Sequence, residues 1–213
     1  MHSRAVAFLS SLLTLCLALP VLPGLAAESV GTVSRLQGKG LLVGFNSVAD
    51  LAVGAPVRPG DTLVTLVGSL AEVALADGSS LTLAQATVFS LDRFEYAPDR
   101  SVARAALRLV TGAFKAAVNK LGQVREPDFQ VRTPLATIGI RGTTFWGGFL
   151  KADMFGVMLV QGRGVYVEND TGRVDLTAPG EGTWINLDTG AMKPVAQWTD
   201  QEKADAYATV TFR

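Results

Sequence analysis

Proton transfer near neutral pH and thiol attack are the work of histidine and cysteine, and this chain carries one of each, His2 and Cys16. Both lie in the first 27 residues. Met1 to Arg4 is a short start with a positive charge, and Ala5 to Leu19 is apolar apart from Ser10, Ser11 and Thr14. Pro20 and Pro23 end the run, and Gly24-Leu25-Ala26-Ala27 supplies the small residues that a signal peptidase requires. The run is too short for a stable membrane helix, which takes about 20 apolar residues. Residues 1–27 are therefore predicted to be a secretory signal peptide, cleaved after Ala26 or Ala27. Cys16 follows Leu15, which is not small, and falls inside the apolar run, so lipidation is not expected. After cleavage the chain would hold neither histidine nor cysteine, and no disulfide could form.

With those two gone, carboxylates remain. Two acids flanking a bond can hydrolyse a glycoside, and Glu72, Asp77, Asp92 and Glu95 are the candidates. Each sits beside a turn or at an outward strand position, which favours solvated surface. Asn169, Asp170 and Asp175 offer oxygen ligands for Ca²⁺, but their spacing fits no known loop and an Asn-Asp-Thr-Gly turn accounts for them. No catalytic residue, cofactor or metal is expected. The chain balances 19 Lys and Arg against 19 Asp and Glu, and loss of Arg4 leaves the remainder near −1. Without a basic stripe, nucleic acid and anionic lipid are not expected partners.

These residues must be positioned by strands. The roughly 186 residues after the leader suit one domain, 28–213. Ala71 to Leu75 and Leu81 to Leu83 flank Asp77-Gly78, which predicts a hairpin with a type I′ turn. Val73, Leu75, Leu81 and Leu83 are expected in the core, with Glu72 and Thr82 facing out. Gly156 to Val160 reads as a central strand. Turns at 161–164, 169–172 and 188–190 separate further short strands. Thr199-Asp200-Gln201-Glu202 is a capping box that predicts a helix over 200–207. Lys115, Lys120 and Arg125 lie in a polar stretch read as a loop before Pro127. The predicted fold is all-β, a sandwich or barrel-like roll with a short C-terminal helix.

Two stretches go beyond generic β patterning. One is Val53-Gly54-Ala55-Pro56-Val57-Arg58-Pro59-Gly60-Asp61-Thr62-Leu63, followed by Gly68 to Val73 and Asp77-Gly78-Ser79. The other is Val131-Arg132-Thr133-Pro134-Leu135-Ala136-Thr137-Ile138-Gly139-Ile140-Arg141-Gly142-Thr143-Thr144-Phe145. Together they resemble the FecR domain, over about 53–164. The resemblance implies an antiparallel β-sandwich of jelly-roll type. It also implies a periplasmic module that takes a signal from an outer-membrane transporter and passes it through a membrane helix to a sigma factor. Here the one hydrophobic segment reads as a cleavable leader, so a free module is expected, periplasmic or secreted, with no stable membrane span.

The candidate interaction residues are Thr133, Pro134, Arg141, Gly142, Thr143, Phe145 and Trp146. Arg141 has two readings: an exposed guanidinium for an anion or a partner carboxylate, or a donor to backbone carbonyls that locks the bend. Phe145, Trp146, Phe149 and Phe155 also have two readings: all belong to the core or to a domain edge, or about half face the core and the rest form an exposed apolar patch suited to a protein or a sugar ring. Arg93 to Tyr96 and the Arg100 to Arg108 region could line one surface. The expected function is a non-enzymatic interaction or signalling module with an envelope protein partner. The alternative is a binder of cell wall or exopolysaccharide.

Overall fold

Alternating apolar positions close together through short Gly-rich turns produce strands rather than helices, and the computed structural model bears this out. It describes residues 28–96, 102–118, 128–140 and 142–213, and the predicted leader lies outside them. The chain runs through β1 (Gly31–Gln37), β2 (Gly40–Gly44), β3 (Ser47–Asp50), β4 (Pro56–Val57), β5 (Thr62–Thr65) and β6 (Leu70–Leu75). It continues through β7 (Ser80–Leu83), β8 (Val88–Tyr96), β9 (Val102–Thr111), β10 (Ala113–Ala117), β11 (Asp128–Arg132) and β12 (Thr137–Ile140). Then come β13 (Thr143–Lys151), β14 (Met154–Gly162), β15 (Val165–Asn169), β16 (Gly172–Leu176), β17 (Glu181–Asn186) and β18 (Ala196–Gln197). The helix α1 (Asp200–Thr209) follows.

The strands form two nine-stranded sheets. The first is ordered β18-β17-β14-β13-β10-β7-β6-β1-β4, the second β16-β15-β12-β11-β9-β8-β5-β2-β3. The fold is all-β and sandwich-like, as expected. One pairing departs from the antiparallel expectation: β11 runs parallel to β9. Between them the chain leaves for β10 in the first sheet, and such a crossover permits the parallel direction that a tight hairpin forbids. Lys115 belongs to β10, not to a loop; Lys120, Arg125 and Pro127 lie outside the described residues.

The sheets are joined by two-stranded ribbons that bend from one into the other. β1 and β6 continue as β2 and β5, β10 and β7 as β9 and β8, and β13 and β14 as β12 and β15. A bend interrupts the ladder and strands backbone donors and acceptors away from water. A buried hydroxyl answers at each bend. Ser69 Oγ accepts the Lys39 N–H at 2.8 Å. Thr87 Oγ1 accepts the Ala113 N–H and donates to the Ala113 carbonyl, both at 3.1 Å. Thr143 Oγ1 donates to the Gly164 carbonyl at 3.0 Å and accepts its N–H at 3.2 Å. Left-handed backbone at Gly112 (φ +89°) and Gly142 (φ +75°) makes two of these bends, a conformation glycine adopts without Cβ strain.

Between the sheets, Phe114 on β10 meets Phe89 of the second sheet at 5.1 Å and Phe145 of its own at 5.4 Å. The Asp77-Gly78 hairpin forms, with Val73, Leu75, Leu81 and Leu83 buried. Its turn is not type I′, because Gly78 has a positive φ and Asp77 does not. Asp77 instead accepts from the Ser79 N–H at 3.0 Å, an interaction that holds a single left-handed glycine. Thr82 is buried rather than outward-facing in solvent. It shares the row Thr82, Lys115, Trp146 on the outer face of the first sheet, and that face is roofed by the C-terminal segment.

The roof is a second, smaller core. Trp146, Met158, Trp184 and Trp198 pack with Ala206 and Val210 of the C-terminal segment. Trp184 and Trp198 stack at 4.4 Å, 2° from parallel, and Trp198 lies so close to Gly182 that a Cβ there would come within 2.2 Å of its indole nitrogen. The capping box forms as expected: Glu202 N–H donates to Thr199 Oγ1 at 3.2 Å and Thr199 N–H to Glu202 Oε2 at 3.0 Å. Lys151 on β13 donates to the other Glu202 oxygen at 3.0 Å, so the cap also ties the helix to the sheet. Beyond the helix, the Arg213 N–H donates to Gln37 Oε1 at 3.1 Å and Arg35 lies 4.1 Å over the Phe212 ring.

That tie is acid-sensitive. Burial pushes the Glu202 carboxyl up, but the Thr199 amide, Lys151 and the Thr199 hydroxyl outweigh it and hold the group below its ordinary value. Glu181 is likewise held down, by the Ala178 and Thr177 N–H groups. A depressed folded pKa gives stability that is complete above the unfolded value, about 4.3, and lost as pH falls through the folded one. Thermal unfolding followed from neutral pH to about pH 3 should show this loss, and Glu202→Gln should make the profile flatter. An unchanged profile would remove Glu202 from the account.

Candidate functional site

The Thr-Pro to Phe stretch of the sequence builds one hairpin and one bend. Thr133-Pro134-Leu135-Ala136 is the turn between β11 and β12, with Arg132 opposite Thr137. Thr133 Oγ1 accepts the Leu135 and Ala136 N–H groups at 3.2 and 3.0 Å, and the Thr133 N–H donates to the Ala136 carbonyl at 2.9 Å. Pro134 stands at the exposed tip, where no ladder donor is needed. β12 then ends in the second sheet and β13 begins in the first. Gly142 makes that step and Thr143 fastens it to Gly164, at the bend between β14 and β15. Arg141 lies outside the described residues.

Phe145 and Trp146 follow on opposite faces of β13. Phe145 points into the space between the sheets and Trp146 under the helix, and both are fully buried. The Trp146 indole N–H donates to Thr209 Oγ1 at 2.9 Å. Phe155 is buried and Phe149 half-buried against it, ring centres 5.0 Å apart. Of the two readings of these aromatics the core reading holds: no exposed aromatic patch forms among the described residues here, and the C-terminal segment covers the face of Trp146. Trp146 therefore presents no free ring to a sugar. Thr143→Val should cost about 1–3 kcal/mol, since it leaves a buried N–H and carbonyl of Gly164 unanswered. Thr143→Ser should restore most of that in urea unfolding; equal loss in both variants would mean that the methyl group, not the hydroxyl, matters.

The outer face of the second sheet is different in kind. β8 and β9 pair so that Arg93 faces Ala106 and Glu95 faces Arg104, which brings together the two arginine-bearing stretches that the sequence left apart. β11 adds Gln130 opposite Ala106 and Arg132 opposite Arg108. Arg108 donates twice to Asp92 Oδ2, at 2.9 and 2.6 Å, and Arg93 lies 3.6 Å from Glu95. Further along the row, Tyr166 lies against Gly139 and carries the Arg173 guanidinium 4.0 Å over its ring. Arg173 is raised above its ordinary pKa, chiefly by its hydrogen bond to Asp175. Gln130 and Arg132 escaped the sequence reading as surface residues. The period of two in Phe129-Gln130-Val131-Arg132 marks their shared face, but the parallel register that sets them beside β9 has no local signal.

The acids considered for chemistry do not converge. Asp92 and Glu95 pair with arginines on β8 and β9, Asp77 caps its own turn, and Glu72 lies on β6 of the other sheet. Asn169 Nδ2 donates to the Leu135 and Gly190 carbonyls while its Oδ1 accepts from Thr171. Among the described residues no three His, Cys, Asp or Glu side chains are grouped to hold a metal ion, and no helix is long and apolar enough to cross a membrane.

A family model described as FecR protein matches residues 61–163, which span the two arginine-bearing strands, the Thr133 turn and the bend at Gly142 and Thr143. The chain contains a FecR domain. Two crystal structures of a candidate anti-sigma factor from Parabacteroides distasonis ATCC 8503 share the fold, each with TM-score 0.52 and 20% identity. Each match covers 67% of this chain and 62% of that one, so the chain spans under two thirds of its structural relative. No curated protein matches the sequence. The FecR domain here is built from both sheets, and its most specific motif lies mainly at a bend rather than in a cleft.

Proposed function

We propose that this chain is an exported, non-enzymatic interaction module of the bacterial envelope, acting in signalling through a protein partner. The observation that carries this reading is the FecR domain itself. Its motif residues Thr133, Gly142, Thr143, Phe145 and Trp146 are spent on turns, a bend and packing, so recognition falls to the surface that this framework holds rigid. Residues 28–213 form the working domain, following a leader over 1–27 that is removed on export, and they contain neither histidine nor cysteine. The module works in the periplasm or outside the cell.

The experiment is cross-linking in intact cells with the tagged full chain, followed by N-terminal sequencing of the exported form. A specific envelope protein linked to a chain that begins near Glu28 supports the reading. A chain that retains Met1, or one that cross-links to no protein, overturns it.

A further inference from the structure

We propose that the arginine-bearing face of the second sheet holds an acidic segment of the partner protein, gripped between Arg104 and Arg132. This rests on the interaction-module reading and names the chemistry of its partner. The observation is a shallow depression of about 310 Å³ lined by Asp92, Arg93, Arg104, Gln130 and Arg132, with Ala105 and Ala106 in its floor. Its floor follows from register: Ala106 pairs with Arg93 on one side and with Gln130 on the other. A methyl group between two long polar side chains leaves a hollow. Arg104 stands two residues before Ala106 on β9, and Arg132 two residues after Gln130 on the parallel strand β11. The two guanidinium groups thus approach from opposite ends of the floor.

Charge decides the ligand. Arg108 is satisfied by Asp92 and Arg93 lies beside Glu95. Among the described side chains, Arg104 and Arg132 have no ion-pair partner, although both line the same hollow. The acids nearby are already engaged, Asp92 in the lining by Arg108 and Glu95 opposite Arg104 by Arg93, so an anion that enters can accept paired hydrogen bonds from the two planar forks left over. The Gln130 carboxamide adds a neutral donor between them. Positions four apart on a strand lie about 13 Å from each other, so an extended segment laid along β9 and β11 meets both arginines with acids at i and i+4.

A sugar polymer fits less well. No aromatic ring lines the hollow, and the neighbouring Tyr166 lies on Gly139 with its ring carrying Arg173. The contacts are exposed, so each contributes little and the affinity is expected to be modest and salt-dependent.

The test uses a labelled nine-residue Ser/Glu peptide with glutamates four positions apart, followed by fluorescence anisotropy with the full exported chain. Binding at low salt should weaken roughly tenfold or more in the double variant Arg104→Gln/Arg132→Gln and remain unchanged in Lys39→Gln. Unaltered thermal unfolding of the double variant excludes a folding defect. Equal affinity in wild type and double variant overturns the site. Tighter binding of polygalacturonate or of inorganic phosphate than of the peptide overturns the choice of partner. Cross-linking to an envelope protein that persists in the double variant would overturn this site and leave the broader reading standing; its absence in wild type would end both.

Discussion

Replacing Trp146 by alanine is expected to lower the free energy of unfolding by about 3–5 kcal/mol, the range for removing a fully buried large aromatic side chain. Trp146 is fully buried, meets Trp198 edge-on at 5.8 Å, and hydrogen-bonds Thr209 near the end of the helix. Its loss opens a cavity under α1 and orphans the Thr209 contact together. Ala206 is the single buried residue of the helix, which therefore has little else to anchor it. Urea unfolding by far-UV circular dichroism measures the effect. Trp146→Phe should recover much of the loss, because a ring still fills the space while the hydrogen bond is gone. A loss below about 1 kcal/mol in the alanine variant would show that the C-terminal layer contributes little to the fold.

Gly112→Ala is the second large effect, and it tests the bends. At φ +89° an L side chain is already strained, and a Cβ there would lie 2.2 Å from Thr87 Oγ1 and 2.5 Å from Thr87 Cα. The hydroxyl cannot swing away without releasing Ala113, and the backbone atom cannot move without shifting β8. The expected cost is about 3 kcal/mol or more, combining backbone strain with a clash in a packed region. Gly54→Ala is the control. Its φ is +87°, but nothing lies within 4 Å of the added Cβ, so it should cost about 1 kcal/mol from conformation alone. Equal effects at the two positions would mean that the Thr87 contact is not what makes the bend rigid.

What could be read from the residues divides along physical lines. Strand alternation at Val73, Leu75, Leu81 and Leu83 is a local pattern, and so is the capping box at Thr199 and Glu202; both formed. Thr82 misled because an outward position means solvent only when nothing covers the sheet, and the cover comes from the distant C-terminal segment that holds Trp198 and α1. The Asp77-Gly78 hairpin was legible, but its turn type depended on Asp77 bonding Ser79. Trp146 lay in a stretch rich in aromatics and glycines, and composition cannot tell a second core from an exposed patch. The arginine hollow was half-visible. Arg93 to Tyr96 and the Arg100 to Arg108 region stood out as stretches that could share a surface, whereas Gln130 and Arg132 joined them through a parallel pairing across a crossover, which no short-range pattern encodes.

The grouping of Trp146, Trp184 and Trp198 also decides what the molecule can report about itself. The sequence contains three tryptophans, and all of them sit in the layer beneath the C-terminal helix. Tryptophan emission is therefore blind to the space between the sheets, where phenylalanine and aliphatic side chains fill the volume. A titration that leaves the colour of that emission unchanged says that the helix has stayed docked, and nothing about the ribbons behind it. For a ligand on the arginine face, the three tryptophans are on the wrong side of the sandwich. For an event that lifts the C-terminal segment, they are already in place, and no label is required.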